Sequence, residues 1–116
     1  MANAFDVREY TEAGRSPFAE WLDALDAVTA ARLDRYIRRL EAGNFGAAKS
    51  LREGVFELRV DFGPGYRVYY GREGKTFIIL LGGGSKRRQD AGIAAAVERW
   101  KRYKQAKAKN GTDTRL

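Results

Sequence analysis

At 116 residues the chain has room for one hydrophobic core, since a division into two would leave each half too small to stabilise itself. It contains neither cysteine nor histidine, which excludes disulfides, thiolate nucleophiles, imidazole acid-base chemistry and nearly every zinc or haem site. No metal or cofactor is expected, and any catalysis falls to Lys, Arg, Tyr, Asp, Glu, Ser or Thr.

The formal net charge of +7 is unevenly placed. Residues 1–85 hold 12 basic and 12 acidic side chains and residues 86–116 hold 10 and 3, so the whole excess sits in the last third. Such an excess suits a polyanion or an acidic partner protein, and equally a solvated helix and tail. No apolar run approaches the roughly 20 residues of a membrane span, and the start lacks a signal-peptide pattern. The cytoplasm is the expected compartment, with no membrane partner.

In chain order, Phe5-Asp6-Val7-Arg8-Glu9-Tyr10 alternates apolar and polar residues, which predicts a half-buried strand. Ser16-Pro17 supplies a helix cap followed by proline at the first helical position, with Trp21, Leu22 and Leu25 as the apolar face. Asp26 caps a second helix whose Ala30, Leu33, Ile37 and Leu40 recur every three or four residues, and Gly43 stops it. Phe56 to Val60 and Tyr66 to Tyr70 alternate around Gly63-Pro64-Gly65 and predict a hairpin. Phe77 to Leu81 is apolar on both faces and reads as the central strand. After Gly82-Gly83-Gly84, the stripe Ile93, Val97, Trp100 predicts a basic amphipathic helix. The fold class is therefore α+β in a single domain: strand, helix, helix, three strands, helix, with helices packed on a mainly antiparallel four-stranded sheet. The domain is expected to span residues 1–107, with residues 108–116 a flexible basic tail.

Two apparent motifs carry no chemistry. Gly74-Lys75-Thr76 ends like a phosphate-binding loop but leads into a strand, and Asp61-Phe62-Gly63 spells a kinase metal motif in a chain too short for a kinase.

The informative constellation is the hairpin. In its simplest register Arg59 lies across from Arg67 and Glu57 across from Tyr69, all four pointing away from the face of Phe56, Leu58, Val60, Val68 and Tyr70. Two arginines directly opposed destabilise a strand pair unless an anion or a carboxylate bridges them. The arrangement fits a phosphate site, or else a solvent-facing cluster in which Glu57 neutralises both arginines. Lys86, Arg87 and Arg88 follow the last strand and could add charge at the same sheet edge.

Ser16-Pro17-Phe18-Ala19-Glu20-Trp21-Leu22, Glu57-Leu58-Arg59, Gly65-Tyr66-Arg67-Val68-Tyr69-Tyr70 and Leu80-Leu81-Gly82-Gly83 followed by Lys86 and Gln89 resemble the RelE/ParE toxin superfamily. Within it they resemble the HigB-like, phage-derived addiction-module killer branch, over roughly residues 4–104. The resemblance implies a RelE-like fold and a toxin that enters the ribosomal A site and cleaves mRNA by attack of a ribose 2′-OH, leaving a cyclic phosphate. Its implied partners are the ribosome, mRNA and a cognate antitoxin, a small helix-turn-helix protein. It assigns Arg67 to the phosphate in flight, Lys86 or Arg87 to phosphate or leaving-group contact, and Arg59 to backbone positioning. Glu57, Lys86 or Tyr69 would take the 2′-OH proton. Arg87, Arg88, Arg99, Lys101, Arg102 and Lys104 are the expected nucleic-acid contacts. The tyrosine that the RelE branch carries in its last segment has no counterpart in Asp90-Ala91-Gly92-Ile93, and the often acidic positions of the HigB-like branch are Ser85 and Gly92. A gyrase-directed ParE-like inhibitor and a non-catalytic antitoxin-binding module are the alternatives.

Overall fold

A computed structural model describes residues 3–114, with side chains to residue 109. The strands are β1 (Asp6–Glu9), β2 (Ala48–Ser50), β3 (Val55–Val60), β4 (Tyr66–Glu73) and β5 (Phe77–Ser85). The helices are α1 (Pro17–Asp23), α2 (Ala27–Glu41) and α3 (Gln89–Thr114), the last preceded by a single 3-10 turn, Lys86–Arg88.

The helix ends follow their local chemistry. The Ser16 hydroxyl accepts from the Ala19 amide at 3.0 Å and the Asp26 carboxylate from the Thr29 amide at 3.0 Å. Gly43, at φ +86°, closes α2 as its amide returns to the Leu40 carbonyl and the Asn44 amide to that of Arg39.

The sheet has five strands in the order β1-β5-β4-β3-β2, and β1 runs parallel to β5 while the other pairs are antiparallel. This corrects the expected four-stranded sheet in two respects. β2 is only three residues long and carries no alternation that could announce it. β5, expected at the centre, lies second in the order, with β4 in the middle. The two-sided apolar character of β5 has another cause. Ile78 and Leu80 join the core under α1 and α2, whereas Ile79 and Leu81 join a second core under α3. Helices therefore cover both faces.

α3 is seated by Trp100, whose ring lies over Gly71, where an added methyl would come within 2.6 Å of it. The backbone remains helical to Thr114, so the tail expected from residue 108 continues α3; residues 115 and 116 lie outside the described residues. Among the described residues, no helix is long and apolar enough to cross a membrane.

Candidate functional site

The hairpin register is the one the sequence implies: Arg59 pairs with Arg67 and Glu57 with Tyr69. Continued into β5, the two rows read Arg59, Arg67, Gly84 and Glu57, Tyr69, Gly82. Paired residues of antiparallel strands share a face, so these side chains project toward α3. The expectation that this face is open to solvent is overturned. Glu57, Tyr69 and Arg67 are only 0, 1 and 2 % exposed, and Arg59 alone reaches solvent. The cause is the start of α3, which lies on them: Gln89 Nε2 donates to Glu57 Oε2 at 2.7 Å, and the Tyr69 hydroxyl donates to the Gln89 carbonyl at 3.4 Å. Gly92 makes the approach possible, since a methyl there would sit 2.8 Å from the Tyr69 ring.

The opposed arginines are bridged by carboxylates. Arg67 Nε faces Glu57 Oε1 at 3.8 Å, and Asp61 lies 3.6 Å from Arg67 Nη1 and 3.9 Å from Arg59 Nη2. Arg67 Nη1 also donates to the Tyr66 carbonyl. The central contact is too long for a hydrogen bond. Glu57 Oε1 and Arg67 Nε are both buried without a hydrogen-bond partner.

Lys86 approaches the same corner. Its amide donates to the Gly65 carbonyl at 3.0 Å, and its side chain lies against Gly65. Gly65 has φ +84°, and its missing Cβ would stand 3.3 Å from Lys86 Cβ and 4.0 Å from Arg67 Nη1. The positive φ favours glycine there, and a Cβ would fit only tightly against Lys86. Lys86, Arg87 and Arg88 are exposed on the 3-10 turn, with no side-chain ion pair among the described residues.

Of the remaining predicted cations, Arg99 lines a recess with Tyr69, Ser85 and Arg88, whereas Lys101, Arg102 and Lys104 are engaged elsewhere. Arg99 Nη1 donates to the carbonyl of Leu81, the extra residue of a β-bulge where Tyr69 faces Gly82 and Tyr70 faces Leu80. Arg102 pairs with Glu12 at 2.8 Å, Lys101 with Glu53 at 3.7 Å, and Lys104 lies over the Trp100 ring. Sequence reasoning gave no site role to Asp61 or Gln89. Asp61 ends an alternating strand, which is a usable signal, whereas nothing local connects Gln89 to a strand 32 residues earlier.

Burial, reinforced by the charge of Glu57 and partly offset by Arg67, pushes the Tyr69 hydroxyl up to about 12. It is therefore a poor proton acceptor near neutral pH. Because the folded value exceeds the ordinary 10, the folded state holds this proton where the unfolded chain releases it. The associated stability is intact below pH 10 and is lost between pH 10 and about 12. Tyr103, hydrogen-bonded to Glu73, is raised similarly. Following tyrosinate absorbance against pH should reveal late-titrating groups, one of which disappears in Tyr69→Phe. Loss of a step near the ordinary 10 instead of a late one would contradict the buried placement.

Residues 20–110 match the family described as phage derived protein Gp49-like. The chain belongs to that family. It is a family of the RelE/ParE-like toxin type. An uncharacterized protein of Haemophilus influenzae is 46% identical over 80 residues, covering 68% of this chain and 81% of its own length. The matched region of the Gp49-like family contains α2, the whole hairpin, β5, the Lys86 turn and the seated part of α3, and so every residue of the polar corner.

Proposed function

We propose that this Gp49-like chain is the toxin of a type II toxin-antitoxin pair, a ribosome-dependent mRNA endoribonuclease silenced by a co-expressed antitoxin of the small helix-turn-helix kind. One observation carries the reading: a buried carboxylate and guanidinium 3.8 Å apart, each with an unpartnered atom, beside a turn of three unpaired cations. Buried polar atoms without partners are costly, and a chain retains them where a function uses them.

On this reading Lys86, Arg87 and Arg88 hold the RNA backbone, and Arg59 flanks it. Glu57 accepts the proton of a ribose 2′-OH as the 2′-oxygen attacks the adjacent phosphorus. The bond to the 5′-oxygen breaks, that oxygen takes a proton from Lys86 or solvent, and a 2′,3′-cyclic phosphate remains. Lys86 and Arg67 offset the charge building on the phosphoryl oxygens. Because Glu57 and Arg67 lie beneath Gln89, the first turn of α3 must lift before RNA reaches them.

Primer extension on transcripts after brief induction tests the mechanism. The Lys86→Ala variant should keep close to the parental unfolding midpoint, because the side chain is exposed and makes no side-chain hydrogen bond or ion pair among the described residues, while translation-dependent cuts weaken by about 10²-fold. Cuts that persist without translation would overturn the reading. So would intact transcripts with accumulating DNA breaks, the behaviour of a gyrase-directed inhibitor, or unimpaired growth on induction.

A further inference from the structure

α2 carries a second cluster of unpaired cations, away from α3. Arg32, Arg35 and Arg39 repeat at intervals of three and four and so share one stripe of the helix. All three are exposed, and none has a carboxylate within ion-pair distance among the described residues. The acidic residues of the same helix, Asp34 and Glu41, are turned to Arg38. Two of the guanidinium groups are braced by rings: Arg32 lies 5.0 Å over Phe62 and Arg39 lies 4.7 Å over Tyr36. With Arg35 these residues line a recess of about 240 Å³. Like charges grouped this closely repel, and the rings hold two of the groups in place where free side chains would spread.

The cluster also borders the polar corner. Phe62, beneath Arg32, belongs to the β3–β4 turn and packs on Tyr66 at 5.2 Å; Gly65, at the other end of that turn, carries Lys86. Four residues of chain, 62–65, thus separate the α2 arginines from the Lys86 turn.

We propose that Arg32, Arg35 and Arg39 form a second phosphodiester-binding surface that grips the backbone of structured RNA on the α2 side of this turn. The stripe from Arg32 to Arg39 covers about 10 Å of helix axis, the length over which one strand of a duplex presents roughly three phosphates. A guanidinium fork suits a phosphate in two-point contact. A protein partner would need an apolar centre, and the stripe offers only Val28, since the faces of Tyr36 and Phe62 are already covered by cations.

The partner class rests on the RNA-directed reading above, whereas the surface itself is tested without cleavage. The full chain is titrated with a short RNA duplex of unrelated sequence over a range of salt concentrations, and separately with poly-glutamate. Combining Arg32→Ser, Arg35→Ser and Arg39→Ser should lower the magnitude of the log K against log salt slope by about 2 to 3, with the unfolding midpoint unchanged. The matched triple Lys101→Ser, Arg102→Ser, Lys104→Ser removes equal charge from α3 and should change it less, because those cations are already engaged. Equal losses in the two triples, an unchanged slope, or loss of poly-glutamate binding alone would overturn the proposal. A chain that cuts no mRNA yet shows the selective drop keeps this surface and loses the ribonuclease.

Discussion

Arg67→Ala should lower the unfolding midpoint by roughly 10–20 °C, the consequence of about 3–5 kcal/mol lost when one partner of a buried ion pair is removed. A solvent-facing cluster, one of the two arrangements the hairpin register allows, would instead leave folding nearly untouched by that loss. Burial decides between them. Removing the guanidinium leaves Glu57 sealed beneath Gln89 without the charge that faces it. On the proposed function, a loss of toxicity in Arg67→Ala would therefore report unfolding as much as chemistry, which makes Lys86→Ala the cleaner functional variant. Replacing Glu57 and Arg67 together with apolar residues of similar volume should restore much of the midpoint, because the greater penalty falls on a single stranded charge. If thermal unfolding of Arg67→Ala coincided with that of the parent, the buried pair described above would be wrong.

Trp100→Ala is the second large effect, expected to cost about 3–5 kcal/mol as for other buried large aromatics. Trp100 fills the space over Gly71, stacks on Tyr103 at 5.3 Å, and lies with Val97 and Ala96 in the core that fixes α3 to the sheet. Its loss should be felt first at the other end of α3, where Gln89 covers Glu57 and Tyr69. Two measurements check this: the unfolding midpoint, and the late tyrosine titration, which should move from about 12 toward the ordinary 10 as Tyr69 becomes hydrated. A large fall in midpoint with the Tyr69 step unmoved would show that the first turn of α3 is held independently of Trp100.

The two cation clusters differ in how easily they could be read in advance. Lys86-Arg87-Arg88 is contiguous and visible as a charge run. Arg32, Arg35 and Arg39 are dispersed among the apolar residues of α2, and their significance depends on which carboxylates are near, a question of space. Arg99 and Arg102 carry the same lesson in reverse. Both add to the basic count of the last third, yet one satisfies a bulge carbonyl and the other an N-terminal glutamate.

Local chemistry set much of this chain without help from the fold. The caps at Ser16 and Asp26, the glycine stop at Gly43 and the pairing of Arg59 with Arg67 all depend on interactions within a few residues or on the period of a strand. Tertiary structure alone decided what lay between distant segments: β1 beside β5, the short edge strand β2, and the placement of Gln89 over Glu57. That last contact turned a hairpin face with every mark of exposure into a buried charge pair, because a side chain's hydration depends on what packs over it, and a two-residue period is silent on that.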